Sequence, residues 1–163
     1  MRIEIKDLQF SYPAGVQALR GISLTIEPGE QVAIVGQNGA GKTTLVRHFN
    51  GLLQPTSGEL RIGDWDTRKH SVAKLASRVG YVFLNPDEQL FSRDVKTEVA
   101  FGPRNLGYPN EQVEALVNEA LGMTELSDKT ETNPYDLSPT WRKMVAIASI
   151  TAPIATAVLG RML

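Results

Sequence analysis

The sequence contains no cysteine and only two histidines among 163 residues. Disulfide cross-links and the usual cysteine-and-histidine zinc sites are thereby excluded. Neither sign of charge dominates: 17 Lys and Arg face 18 Asp and Glu, a formal net charge of −1. A surface of that balance offers no basic footprint for nucleic acid, and no nucleic-acid partner is expected. No apolar run approaches the ~20 residues that span a bilayer. The longest, near residues 144–163, is interrupted by Pro153, Gly160 and Arg161. Any link to a membrane is therefore expected to pass through a partner. The segment Met1-Arg2-Ile3-Glu4-Ile5-Lys6-Asp7 alternates apolar and charged residues, the pattern of a strand and not of a signal peptide. After Asp136 there is no Asp or Glu at all, which removes carboxylate chemistry from the last stretch of the chain.

What is present is an ordinary globular composition, 42% hydrophobic and 21% charged, at a length that suits one domain with a core. Ile3, Ile5 and residues 8–10 suggest a first strand, and Ala18-Leu19-Arg20-Gly21-Ile22-Ser23-Leu24-Thr25-Ile26 a second. Glu27-Pro28-Gly29-Glu30 and Pro55-Thr56-Ser57-Gly58 read as turns. Glu59-Leu60-Arg61-Ile62 reads as a short strand before a Gly63-Asp64 reversal, and Val72, Leu75, Ala76 and Val79 have helical spacing. Gly80-Tyr81-Val82-Phe83-Leu84 reads as a buried strand broken by Asn85-Pro86-Asp87. Beyond residue 95 the pattern turns helical. One helix starts at Thr97 and ends near Pro103 or Gly107. A second, 111–121, has Asn110 as N-cap, Gly122 as C-cap and Val113, Leu116, Val117, Ala120 and Leu121 on its inner face. A third opens at Ser138-Pro139 and runs to about residue 151.

The stretch that carries chemistry is Gly36-Gln37-Asn38-Gly39-Ala40-Gly41-Lys42-Thr43. It fits G-x-x-x-x-G-K-[ST], the phosphate-binding P-loop. Gln31-Val32-Ala33-Ile34-Val35 before it reads as a buried strand, and Thr43-Thr44-Leu45-Val46-Arg47-His48-Phe49 after it reads as a helix. Strand, glycine-rich loop and helix are the arrangement that phosphate binding needs. Glycines let the backbone curl until successive N–H groups converge on an anion. The helix N-terminus adds partial positive charge. Lys42 brings a full charge for the β- and γ-phosphates, and the Thr43 hydroxyl is a ligand for Mg²⁺. A nucleoside triphosphate is the expected ligand.

These segments together resemble the nucleotide-binding subunit of an ATP-binding cassette (ABC) transporter, most closely the importer ATPases of the energy-coupling-factor or cobalt type. The residues that carry the resemblance begin with Phe10-Ser11-Tyr12-Pro13 ahead of Ala18-Leu19-Arg20-Gly21-Ile22, similar to the aromatic A-loop and its strand. The P-loop followed by Thr44-Leu45 is close to the ABC form, and Leu53-Gln54-Pro55-Thr56-Ser57-Gly58-Glu59 matches the turn after the P-loop helix. Val79-Gly80-Tyr81-Val82-Phe83, with Asn85-Pro86-Asp87-Glu88-Gln89-Leu90-Phe91, resembles the Q-loop segment in its energy-coupling-factor variant. Leu137-Ser138-Pro139-Thr140-Trp141 stands where the family has the signature L-S-G-G-Q.

The resemblance implies an α/β fold: a P-loop NTPase core of ABC type with a mainly parallel sheet, an antiparallel β-subdomain from the N-terminal strands, and a helical subdomain over 95–151, all within one partial domain over 1–163. It implies ATP and Mg²⁺ as ligands, with Tyr12 stacked on the adenine, Gly36, Gln37, Asn38, Gly39, Ala40, Gly41, Lys42, Thr43 and Thr44 around the phosphates, and Thr43 on the metal. The plain alternative for Tyr12 is an exposed or core tyrosine. Residues 85–104 would face a transmembrane transporter subunit. Phe91 and Phe101 would pack in that groove, although such a pair is more often core. Two ATPase subunits, identical or not, would close head to tail, with Ser138 reaching the γ-phosphate held by the other. The location implied is cytoplasmic, on the inner face of the membrane.

Departures from the family pattern bear on hydrolysis. Leu84 replaces the Q-loop glutamine, and Pro139 replaces a signature glycine, with no N–H to offer a phosphate. The Walker B carboxylates and the switch histidine have no counterpart: Pro153-Ile154-Ala155-Thr156-Ala157-Val158-Leu159 is apolar enough for a strand, but Gly160-Arg161 stands where the carboxylates belong. His48 and His70 read as ordinary solvated or packed histidines. The chain is thus expected to be an ABC ATPase subunit without its C-terminal part, weak or inactive in hydrolysis, with exposed sheet edges that favour marginal stability or association. The alternative is a non-catalytic nucleotide-binding or regulatory partner of a complete subunit. A small-molecule kinase or a GTPase is disfavoured, because the Q-loop-like and signature-like segments have no place there.

Overall fold

The structure, a computed structural model, describes the backbone of residues 1–158 and the side chains of residues 1–153. It divides into two compact units, Met1–Val79 and a second beginning at Gly80.

Four strands build the first unit: β1 (Ile3–Ser11), β2 (Gln17–Ile26), β3 (Ser57–Ile62) and β4 (Trp65–Asp66). They form one sheet in the order β2-β1-β3-β4, and every ladder in it is antiparallel. The register places Ile5 opposite Leu24 on one side and Leu60 on the other. Ile5 and Leu8 are both buried although three residues apart, which strict alternation forbids. A bulge resolves this: the ladder shifts between Ile5 and Leu8, with Asp7 at φ 45°. The bulge presses on β3, where a Cβ at Gly58 would stand 2.1 Å from the Asp7 carbonyl oxygen. Only glycine fits there. The helix α1 (Lys42–Phe49) buries Thr44, Leu45, His48 and Phe49. Leu45 and Phe49 pack with Ile5, Leu8, Phe10, Leu19, Leu60 and Ile62, a set an amphipathic helix presents at i, i+1, i+4 and i+5. A short helix α2 (Val72–Leu75) is capped by Ser71.

In the second unit α3 (Val95–Asn105), α4 (Asn110–Met123) and α5 (Pro139–Val158) pack on one another. Asp94 caps α3 by accepting from the Thr97 N–H at 2.7 Å. The expected inner face of α4, Val113, Leu116, Val117, Ala120 and Leu121, is buried. It meets Val95, Val99 and the small side chains Ala146, Ala148 and Ala152 of α5.

Several expectations are corrected. Residues 31–35 and 80–84 are not strands: neither run has a ladder partner, and Val35 and Leu84 are 91% and 93% exposed. The expected parallel sheet is accordingly not among the ladders of the described residues. A parallel strand exists only through non-local neighbours, and local apolarity cannot supply them. The N-cap of α4 is Pro109, with Asn110 already helical, and Gly122 lies inside the helix, whose C-cap is Thr124. α3 begins at Val95, earlier than expected. α5 runs past residue 151 to Val158 with Pro153 inside it, so the proposed strand 153–159 is helical through 158. Without strands to pair with, an alanine-bearing run keeps its helical preference. Leu159, Gly160 and Arg161, where the strand and carboxylate positions were sought, lie outside the described residues.

Candidate functional site

Residues 36–41 form a glycine-rich turn ahead of α1. Gly41 is the N-cap of α1 in the left-handed region, φ 86° and ψ 7°, and Gly39 also has positive φ, 84°. These reversals curl residues 36–41 ahead of the helix. Gly41 is also pressed against β2: a Cβ there would lie 2.6 Å from the Ala18 carbonyl oxygen and 3.1 Å from Leu19 Cδ2. The first turn of α1 contains no acidic residue, so nothing there neutralises its positive end. Lys42 folds back over the loop, its Nζ donating to the carbonyl oxygens of Gly36 and Gln37 at 2.7 and 2.8 Å. The ammonium thus lies against the carbonyls that begin the loop. Residues 36–40 and Thr43 are exposed, while Thr44 is buried.

The arrangement fits a polyphosphate anion: an exposed glycine-rich curl, an ammonium against it and a helix N-terminus behind it. The exposed Thr43 hydroxyl suits one coordination position of a divalent cation. Among the described residues no three His, Asp or Glu side chains converge as a metal site.

Tyr12 stands beside this loop, 37% exposed. Its hydroxyl shares a 3.0 Å hydrogen bond with the Thr44 hydroxyl, and its ring meets Phe10 edge-on, centroids 4.9 Å apart. Its backbone is fixed by the tight turn to Val16, with Tyr12 N–H donating to the Val16 carbonyl at 2.9 Å. His48 sits one turn after Thr44, fully buried, and Nδ1 lies 2.7 Å from the Thr44 carbonyl oxygen. Of the two sequence expectations for His48, solvated or packed, the packed one holds, and the bond to Thr44 is additional. The i, i+4 spacing from Thr44 was the available signal.

Burial pushes the His48 pKa below its usual 6.5. Its neutral form therefore belongs to the folded state, and the unfolded chain binds the extra proton first as the pH falls. Stability from this residue is present above pH 6.5 and lost as the pH drops below it. Asp64, Asp66 and Asp128 are shifted downward by Arg78, Arg68 and Lys129, Asp66 to about 2, so their losses come at more acid pH. Urea midpoints are expected to fall between pH 7 and pH 5 in the native chain and to change less in His48→Asn. Parallel slopes for the two proteins contradict this.

In the second unit, Leu84 points into solvent, 93% exposed, and its carbonyl and that of Phe83 accept from Lys143 Nζ at 2.7 and 2.9 Å. Gln89 ties the same loop to α5: Oε1 accepts from the Phe83 N–H at 3.1 Å, and Nε2 donates to the Ala146 carbonyl at 2.8 Å and to Ser149 Oγ at 3.0 Å. Arg142 and Asp87 add an ion pair at 2.9 Å. In sequence Gln89 reads only as part of the segment 85–91; its two partners on α5 lie 57 and 60 residues away, beyond any local signal. Ser138 opens α5 and is exposed with Pro139 and Thr140. Its Oγ is 3.5 Å from the Trp141 N–H, a weak cap.

Phe91 and Phe101 are not core. They meet edge-on, centroids 4.7 Å apart, at 60% and 47% exposure. Glu98, only 2% exposed, holds this loop by accepting from the N–H groups of Phe91 and Ser92 at 3.0 and 2.6 Å. Glu98→Ala leaves both donors without that partner and is expected to cost about 3 kcal/mol. Thermal denaturation checks this, and an unchanged melting temperature contradicts it.

Comparison with known proteins follows the same lines. The family model described as "ABC transporter" matches residues 19–158. An energy-coupling factor transporter ATP-binding protein EcfA of Methanothermobacter thermautotrophicus is 49% identical over 92% of this chain and 49% of its own length. The EcfA of Methanocaldococcus jannaschii is 47% identical, again over 92% of this chain, and 54% of itself. The chain thus spans about half the length of the curated relatives it matches. The solved structure of cbiO1 from Clostridium perfringens, described as part of the ABC transporter complex cbiONQ, superposes with a TM-score of 0.83 at 35% identity, covering 93% of this chain and 61% of that one.

Proposed function

This chain belongs to the ABC transporter family, and from that premise we propose that it is the ATP-binding part of an energy-coupling-factor-type importer subunit. Gly36, Gln37, Asn38, Gly39, Ala40, Gly41, Lys42, Thr43 and Thr44 hold the triphosphate, Thr43 ligates Mg²⁺, and Tyr12 stacks on the adenine. The observation that carries this reading is the curl of residues 36–41 at the N-terminus of α1, with the Lys42 ammonium against its first carbonyls. ATP bound here would move a membrane partner by head-to-tail closure with another ATPase subunit. The exposed Phe91–Phe101 pair within 85–104 is the apolar contact we assign to that transmembrane partner. The helical subdomain is taken as 95–151. Among the described residues no helix is long and apolar enough to cross a membrane. The location that goes with this reading is the cytoplasmic face, where the partner holds the chain.

Hydrolysis is a separate matter. Phosphoryl transfer to water needs a positioned water and neutralised charge. This chain has leucine at position 84, where the family has glutamine, and no carboxylate after Asp136. The purified chain is expected to bind MgATP while releasing phosphate no faster than Lys42→Ala. Robust release that depends on Lys42 overturns the claim that the chain lacks water-activating groups. The exposed Ser138 at the start of α5 favours a second role, as a non-catalytic partner lending its hydroxyl to a complete subunit's site. An ATP-dependent mixed dimer with a full-length EcfA supports that role, and no association removes it.

A further inference from the structure

Four residues beside the phosphate loop close a ring of contacts, three through side chains alone and Thr44 through its hydroxyl and its backbone carbonyl. Phe10 meets Tyr12 edge-on at 4.9 Å and His48 edge-on at 4.8 Å. Tyr12 and Thr44 share the hydroxyl–hydroxyl hydrogen bond of 3.0 Å. His48 Nδ1 is 2.7 Å from the Thr44 carbonyl oxygen. A carbonyl only accepts, so Nδ1 carries the proton, and in the neutral ring Nε2 is then an acceptor. That Nε2 is buried and makes no hydrogen bond, with the Gln54 backbone near the ring. Leaving a polar atom so placed costs free energy that an aliphatic side chain would avoid. Packing alone therefore does not account for histidine at this position; the bond from Nδ1 does.

We propose that His48 and Thr44 are positioning residues that lock the Tyr12 ring to the first turn of the phosphate-loop helix, so that the base and the phosphates of a nucleotide are recognised as one rigid ligand. The proposal rests on the nucleotide reading above. Thr44 is the hinge of the lock: its hydroxyl holds Tyr12, and its carbonyl is held by His48. Phe10 closes the ring from β1 and prevents the tyrosine from swinging out. The aromatic platform is thereby set before any ligand arrives, and binding spends less on ordering it. A ligand with phosphates and no base gains nothing from the lock.

Calorimetric titration of the full chain with ATP and with inorganic tripolyphosphate tests this in the native protein, Tyr12→Phe, His48→Ala and His48→Asn. Tyr12→Phe keeps the stacking ring and removes only the hydroxyl, and it is expected to weaken ATP about fivefold while changing tripolyphosphate less than about twofold. His48→Ala is expected to weaken ATP about tenfold, and His48→Asn, whose side-chain amide can donate to the Thr44 carbonyl, to restore it to within about twofold. Tyr12 is partly exposed, so its variant tests the lock even where His48→Ala unfolds. Unchanged ATP affinity in Tyr12→Phe, or equal losses for ATP and tripolyphosphate, overturns the lock and leaves the nucleotide reading standing. A folded native chain that binds neither ligand removes the nucleotide reading and the lock with it.

Discussion

Gly41→Ala is expected to abolish nucleotide binding and to lower stability by about 3 kcal/mol. Two costs coincide at this position. The residue adopts φ 86°, where an L side chain is strained. The added Cβ would lie 2.6 Å from the Ala18 carbonyl oxygen, and backbone cannot swing away as a flexible side chain would. Relief requires either that α1 draw back from β2 or that Gly41 leave the left-handed region. Either movement unwinds the turn ahead of α1, in which the Ala40 N–H donates to the Gln37 carbonyl at 3.2 Å. The neighbouring Gly39 has the same sign of φ but open space around its missing Cβ. Gly39→Ala is therefore expected to cost only the backbone strain, and the difference between the two variants in melting temperature isolates the contact with Ala18. Equal melting temperatures for both contradict it.

Lys42→Ala is expected to weaken ATP at least about a hundredfold while leaving the fold intact, a dissociation of binding from stability. The ammonium's partners in this structure are two carbonyl oxygens on the exposed loop, those of Gly36 and Gln37. Both turn to water when the side chain is removed, so no buried group is orphaned. In a nucleotide complex the same ammonium would meet several negative oxygens at short range, charge-assisted contacts stronger than its two carbonyl bonds. Competition against a fluorescent ATP analogue measures the first effect and thermal denaturation the second. ATP affinity within a few-fold of the native chain contradicts the assignment of Lys42 to the phosphates.

How much of this was legible in the sequence follows from how local each cause is. The hairpin β1–β2, the helix α1 and the inner face of α4 depend on periodicity within a dozen residues, and each formed from the residues expected. The P-loop was legible because its motif specifies backbone conformation directly, through glycines that must reverse. The runs 31–35 and 80–84 were misread because a strand is a relation between segments. Their apolar residues satisfy the local rule, yet no described segment pairs with them. The Asp7 bulge was hidden in a single irregular spacing, Ile5 to Leu8. The ties from Gln89 and Lys143 to their distant partners, and the buried His48, depend on tertiary packing that one sequence does not display. For Phe91 and Phe101 the sequence leaves a partner groove and core packing both open, and their exposure in the structure removes the second.

The most direct test of the account is a calorimetric titration of the full native chain with ATP in the presence of Mg²⁺. The site described here predicts saturable binding with one ATP per chain, weakened when Mg²⁺ is withheld. A chain that is folded by circular dichroism yet gives no binding heat at any temperature, and does not retain labelled ATP, contradicts the claim that residues 36–44 form a working phosphate site.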